Sequence, residues 1–178
     1  HALPCKYKDK KYGEHSDAVC FSFYANKTLT TGEGGMLITN NNLIANEVRL
    51  KRLHGIRGDA WDRYGEKSDW YYHVEDLGYK YNSTDIQATL GLVQLEKLHW
   101  MYLERKKIAK RYINAFSGKI DYISELPDCQ SSWHLFVIKI SNRDQLYEKL
   151  KLNGISTSVH FIPIHKHIYY RENYNFSD

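Results

Sequence analysis

Ser22-Phe23-Tyr24-Ala25-Asn26-Lys27-Thr28-Leu29-Thr30-Thr31-Gly32-Glu33-Gly34-Gly35 decides how this chain is read. A hydroxyl at a strand end is followed by a lysine and then by glycines. Upstream, Ala18-Val19-Cys20-Phe21-Ser22-Phe23 has the β-branched and aromatic content of a strand, and Met36 to Thr39 predicts a second one. Two strands thus bracket a loop of special backbone. Hydroxyl and backbone N–H groups can hold a phosphate, and a lysine amine shielded from water can lose its proton and condense with an aldehyde. Spacing alone leaves the matter open. A surface lysine before a tight turn fits the same residues and, because glycine-rich turns are common, takes the larger share.

Working outward, Asn41 to Leu53 predicts a helix, and Gly55 to Tyr72 a long polar and aromatic loop punctuated by Gly55, Gly58 and Gly65. Thr84-Asp85-Ile86-Gln87 has the form of a capping box, which starts a helix by pairing a hydroxyl with one exposed N–H and a glutamine with another. Ile86, Leu90 and Val93, then Leu95, Leu98 and Tyr102, recur at helical spacing, so this helix continues to near Ala115. Beyond the loop at Pro127 to Ser132, Trp133 to Ile140 predicts a strand, Arg143 to Asn153 a helix closed by Gly154, and Ile155 to Ile162 a further strand. The expected fold class is α/β followed by a small α+β unit, with the boundary within or beside the long helix, around residues 96 to 115.

Composition excludes more than it selects. With 178 residues, 42% hydrophobic and 14% aromatic, the chain can bury a core and is neither disordered nor fibrous. Its apolar runs, such as Leu135 to Ile138, are too short to cross a bilayer, so a soluble protein is expected, with no membrane association. Cys5, Cys20 and Cys129 are odd in number, widely spaced and without a CxxC pair, which argues against a disulfide framework or structural zinc and favours a cytoplasmic setting. The net charge of +4 is compatible with phosphate-bearing ligands and equally with weak nucleic-acid binding. No recognition helix or aromatic-basic platform emerges, so no nucleic-acid partner is expected. His160, His165 and His167 cluster near the end, yet no carboxylate or thiol joins them at a familiar spacing, and no metal is expected.

The run from Ser22 to Gly35 resembles the DegT/DnrJ/EryC1/StrS family of sugar aminotransferases, in which a serine precedes the cofactor lysine by five residues, as Ser22 precedes Lys27. The resemblance continues through Gly78-Tyr79-Lys80-Tyr81-Asn82, Asp85-Ile86-Gln87-Ala88, Leu90 to Leu95, Trp133-His134-Leu135-Phe136 and Gly154 to His160. His54-Gly55 and Asp59-Ala60-Trp61-Asp62-Arg63 look like the branch that aminates the 4-keto position of nucleotide sugars, including the aminoarabinose-forming transaminases. The resemblance implies the later part of the pyridoxal-phosphate-dependent transferase large domain in residues 1–100, its N-terminal half lying outside these residues. It implies a small α+β domain in 101–178, without its last helix. It also implies an aspartate for the cofactor's pyridine nitrogen three residues before the position of His1, so these residues alone are expected not to transaminate.

By the same resemblance, Lys27 carries pyridoxal 5'-phosphate and moves the proton during transfer, with pyridoxamine phosphate as the cofactor's other form. Ser22 holds the cofactor phosphate, Asn82 reaches it from the neighbouring subunit of a homodimer, and His1 lies near the phenolic oxygen. His160, His54, Arg57 and Trp61 are the substrate-side candidates, for which packing or simple exposure is an equal reading. The substrates implied are a nucleotide-linked keto sugar and an amino-acid donor, glutamate being usual, in surface polysaccharide building. Lysine at position 27 separates this reading from a related branch that carries histidine there and deoxygenates sugars. Two alternatives stand beside it: an aminotransferase acting on a cyclitol ketone, and a non-catalytic binding protein that keeps the fold.

Overall fold

The computed structural model describes residues 1–57 and 71–174. The chain divides into two compact units, His1–Val137 and Ile138–Asp178. This division differs from the expected boundary near residue 100, and the reason lies in the long helix. Its second half shares a core with Trp133 and Phe136, which ties residues up to 137 to the first unit.

In the first unit, β1 (Lys6–Tyr7) is the centre of a three-stranded antiparallel sheet. It pairs with β2 (Lys10–Lys11) on one side and with β6 (Cys129–Gln130) on the other, in the register Lys6↔Gln130 and Tyr7↔Cys129. The expected hairpin is present: β3 (Ala18–Ser22) and β4 (Gly35–Thr39) pair antiparallel from Ala18↔Thr39 to Ser22↔Gly35. Helix α1 (Asn42–Lys51) starts where Asn41 Oδ1 accepts from the backbone N–H of Leu43 and Ile44, and Arg49 and Lys51 lie in its last turn, where cations oppose the helix dipole.

Helix α2 (Asp85–Phe116) begins with the capping box read from the sequence: Thr84 Oγ1 accepts from Gln87 N at 3.2 Å, and Thr84 N donates to Gln87 Oε1 at 3.0 Å. Its 32 residues give a rod about 48 Å long. The buried cluster of this unit is Tyr102, Ala109 and Trp133, with Ile113 and Phe136 packed against it. Tyr112, Phe116, Tyr122 and Trp133 all lie within 6.2 Å of Phe136, ring centre to ring centre. Elsewhere α2 presents apolar side chains to solvent, Ile86 being 83% exposed and Trp100 62%. Strand β5 (Asp121–Tyr122) follows the helix.

The expected strand Trp133–Ile140 is not formed as such. Trp133 takes φ +49°, a left-handed conformation that breaks strand alternation and sends its indole into the core, and only β7 (Ile138–Lys139) is extended and paired. The second unit contains α3 (Arg143–Leu152), the α4 helix (Ile168–Asn173) and a 3₁₀ turn at Ile164–Lys166. Helix α3 ends as expected: Gly154, at φ +74°, lets its N–H reach Lys151 O and that of Ile155 reach Leu150 O, closing a Schellman motif. Residues 155–162 form no strand, because no ladder partner pairs with them among the described residues.

Between α1 and α2 two backbones touch. A Cβ on Gly55 would lie 1.7 Å from Asp76 O, and one on Gly78 would lie 1.9 Å from Gly55 N. Gly118 has a similar positive φ but open space around it. Gly118→Ala is therefore expected to cost about 1–2 kcal/mol, the left-handed backbone penalty alone. Gly55→Ala is expected to cost at least about 2 kcal/mol more, since backbone must move. Urea midpoints of the two variants measure the difference.

Candidate active site

The hairpin β3–β4 delivers Lys27. After Ser22 the chain turns at Tyr24–Lys27, where Lys27 N donates to Tyr24 O at 3.0 Å and Tyr24 N reaches Ser22 Oγ at 3.4 Å. The returning arm is locked to the outgoing one: Phe23 N donates to Gly34 O at 2.8 Å, Thr31 N to Phe23 O at 2.9 Å, and Thr30 Oγ1 to the same oxygen at 3.1 Å. Thr28 and Leu29, directly after the lysine, are each only 4% exposed and anchor it. Helix α2 braces the loop from behind. Gln87 Nε2 donates to Glu33 O at 3.0 Å, and Gly91 is small enough that a Cβ there would meet Thr31 Cγ2 at 3.2 Å.

The half-buried Lys27 places Nζ 2.5 Å from His1 Nε2. Two residues 26 apart in sequence, each a separate candidate by the family resemblance, are thus brought into hydrogen-bond contact, which the sequence reading did not anticipate. His1 and the residues after it are held by the end of β6 and the segment that follows: Ser132 Oγ donates to His1 O at 2.8 Å, Gln130 Nε2 to Pro4 O at 3.3 Å, and Ser132 N to Cys5 Sγ at 3.2 Å. The His1 ring lies on that of His134, centroids 4.6 Å apart and planes 17° apart. His134 is a site neighbour that the residue-by-residue reading missed. Its signal was the Trp133-His134-Leu135-Phe136 motif, read as strand alternation.

Other candidates fall as follows. Ser22 is exposed at the end of β3, and Asn82 is exposed two residues before the Thr84 cap. His54, at φ +60°, is exposed, with its N–H donating to Tyr79 O at 2.8 Å. Arg57 faces Glu75, with Nε 2.6 and 2.8 Å from the two carboxylate oxygens and Nη2 2.5 Å from Oε2. Trp61 lies outside the described residues. In the second unit, His160 is exposed, its Nδ1 3.2 Å from Ser158 Oγ and its ring against Phe161.

An amine, an imidazole in contact with it and an exposed hydroxyl form a donor set that fits a phosphorylated pyridine aldehyde: the amine can condense, the imidazole can take or give a proton, and the hydroxyl can hold phosphate. A lysine at the end of a hairpin, braced by a capped helix and in contact with an imidazole, is the arrangement that a carbonyl cofactor carried on lysine would need.

The chain belongs to the DegT/DnrJ/EryC1/StrS aminotransferase family, whose sequence model matches residues 1–178. It is 42% identical over 187 residues to the spore coat polysaccharide biosynthesis protein SpsC of Bacillus subtilis, covering 100% of this chain and 48% of that protein. Among solved structures it is similar to PseC of Helicobacter pylori, an aminotransferase involved in the biosynthesis of pseudoaminic acid (TM-score 0.88, 29% identity, 100% of this chain and 48% of that one). It is likewise similar to the putative sugar aminotransferase Spr1654 of Streptococcus pneumoniae in its PMP-form (TM-score 0.87, 32% identity, 97% of this chain and 46% of that one). The latter is also known in a PLP-form, at TM-score 0.84 and 31% identity with coverage of 97% and 45%. The chain spans about half the length of the relatives it matches. Its fold is the mixed α/β arrangement of pyridoxal-phosphate-dependent sugar aminotransferases. Among the described residues, no helix is long and apolar enough to cross a membrane.

The Arg57–Glu75 pair has a pH signature. The hydrogen-bonded guanidinium holds the Glu75 carboxyl below its ordinary value, and Asp76 is likewise lowered by its hydrogen bond to Lys51. A carboxyl whose pKa is lowered by folding contributes fully above its unfolded pKa, and the contribution is lost as pH falls through the depressed value. Carboxyl NMR titration is expected to find Glu75 protonating below the usual glutamate range. In Arg57→Ala its titration returns towards that range.

Proposed function

We propose that a protein of its relatives' full length carrying this chain is a cytoplasmic, pyridoxal-phosphate-dependent aminotransferase. It moves an amino group from L-glutamate to C4 of a nucleotide-linked keto sugar in surface polysaccharide biosynthesis. The observation that carries this reading is the contact of Lys27 Nζ with His1 Nε2 at the glycine loop. The family and the polysaccharide role in the name of SpsC support it. In the complete fold we assign residues 1–100 to the cofactor-binding domain and 101–178 to the small domain.

When bound, pyridoxal phosphate supplies a carbonyl to receive the amino group and a ring that spreads the charge left at the neighbouring carbon. Lys27 Nζ would hold it and would serve as the base that moves the proton; a base must be neutral for that, and His1 Nε2 at 2.5 Å is placed to accept the proton that the amine gives up. Ser22 Oγ binds the phosphate from the end of β3. Asn82, on the turn before α2, contributes to the phosphate site of a second copy, so that the active site is shared across a homodimer. His54, Arg57 and Trp61, and His160 of the later chain, contact the nucleotide sugar. Arg57 does so on leaving Glu75 or through that pair.

Borohydride reduction of the full-length protein with pyridoxal phosphate is expected to fix the cofactor on the peptide containing Lys27, read by mass spectrometry. Lys27→Ala is expected to abolish both trapping and amino transfer. Ser22→Ala is expected to weaken cofactor binding by roughly tenfold, the loss of one hydrogen bond to a charged group. A folded full-length protein that traps no cofactor would favour a non-catalytic binding role, and turnover on a cyclitol ketone in preference to a nucleotide sugar would move the substrate. Residues 1–178 alone are expected to give no turnover with glutamate and a keto sugar.

A further inference from the structure

His134 has no assigned part in the chemistry, yet its ring is the surface on which His1 lies. An exposed imidazole turns freely about its two side-chain torsions, and either rotation would carry His1 Nε2 away from Lys27 Nζ. A flat ring stacked at 4.6 Å and 17° opposes those rotations. The residue that carries that ring is held through its backbone. It follows Ser132 and Trp133, which are 4% and 8% exposed, and its carbonyl accepts a long, 3.5 Å hydrogen bond from Arg105 Nη1 on α2. The same short segment grips the backbone of the residue it stacks on, through Ser132 Oγ and His1 O. Backbone and ring of His1 are therefore fixed from one side by one piece of chain.

We propose that His134 is a positioning residue of the lysine site. By stacking, it holds the plane of the His1 imidazole so that Nε2 stays on Lys27 Nζ. The proposal rests on the function proposed above for its consequence, because a lysine that both binds a cofactor and moves a proton needs a fixed proton partner. His134 acts through His1, and it acts with the face of its ring. Any flat ring of similar size serves, whereas the ring nitrogens are not required.

The test uses full-length His134→Ala and His134→Phe, with thermal unfolding to confirm that each folds. In the cofactor-free protein, the ring current of a stacked neighbour displaces the His1 imidazole proton resonances. That displacement is expected to disappear in His134→Ala and to persist in His134→Phe. The transfer rate is expected to fall roughly ten- to a hundredfold in the alanine variant, as for a misplaced catalytic group. In the phenylalanine variant it is expected to stay within about threefold of the original, with the split read from kcat against KM. Unchanged His1 resonances in His134→Ala would overturn the proposal by showing no stack in solution. A phenylalanine variant as slow as the alanine one would overturn it by giving the nitrogens a direct role. Should His134→Ala unfold, His134→Phe still decides, since it must retain both the resonance and the rate. If the unaltered protein traps no pyridoxal phosphate, the proposed function fails, while the cofactor-free resonances still decide the stack.

Discussion

The pairing of residues 1–8 with residues 128–134 is the constraint on which the site depends. Two backbone segments separated by more than a hundred residues are joined by the β1–β6 ladder and by Lys8 N donating to Asp128 O at 2.8 Å. Side-chain bonds from Gln130 and Ser132 extend the junction towards His1. Each bond is worth only about 1 kcal/mol net. Together they make the segment around His1 one wall of a site, because His1 faces Lys27 only while its backbone is pinned. The hairpin contributes the opposite wall, and its own rigidity comes from cross-loop hydrogen bonds and from the buried Thr28 and Leu29.

Helix α2 joins these two walls. Its first turns meet the glycine loop at Gln87 and Gly91, while Tyr102 and Ala109, further along, bury Trp133 just beyond the segment that grips His1. The geometry between Lys27 and His1 is thus referred to a single rod. This arrangement explains why the compact first unit runs to Val137: Trp133 and Phe136 pack with Tyr102, Ala109 and Ile113, which belong to the same continuous helix as Gln87 and Gly91.

Local features of this fold were legible in the sequence, and long-range ones were not. The β3–β4 hairpin follows from two apolar runs around glycines, the start of α2 from Thr84 and Gln87, and the end of α3 from Gly154, because each is decided by residues within a few positions of one another. The β1–β6 ladder involves two residues on each side, with no periodicity to read. Trp133 misled: its run alternates like a strand, but a left-handed backbone at the tryptophan turns the indole into the core. Residues 155–162 have strand composition and lack a partner among the described residues, and composition cannot supply one. At the site, Lys27 and His1 were singled out one by one through family resemblance, while their contact and the stacking of His134 on His1 need coordinates. The partnership of Arg57 with Glu75, 18 residues apart, was equally invisible.

The contact of Gly55 with Asp76 and of Gly78 with Gly55 has a consequence for how this sequence can drift. At Gly13 an added methyl would meet the Ile38 side chain, and a smaller residue at position 38 could make room for it. At Gly55 and Gly78 the obstacle is peptide backbone, which no second substitution can trim. The crossing is therefore closed to compensation. Homologues that keep it must keep both glycines together, and a lineage that loses one must rebuild the route of the chain between α1 and α2, where His54 and Arg57 stand.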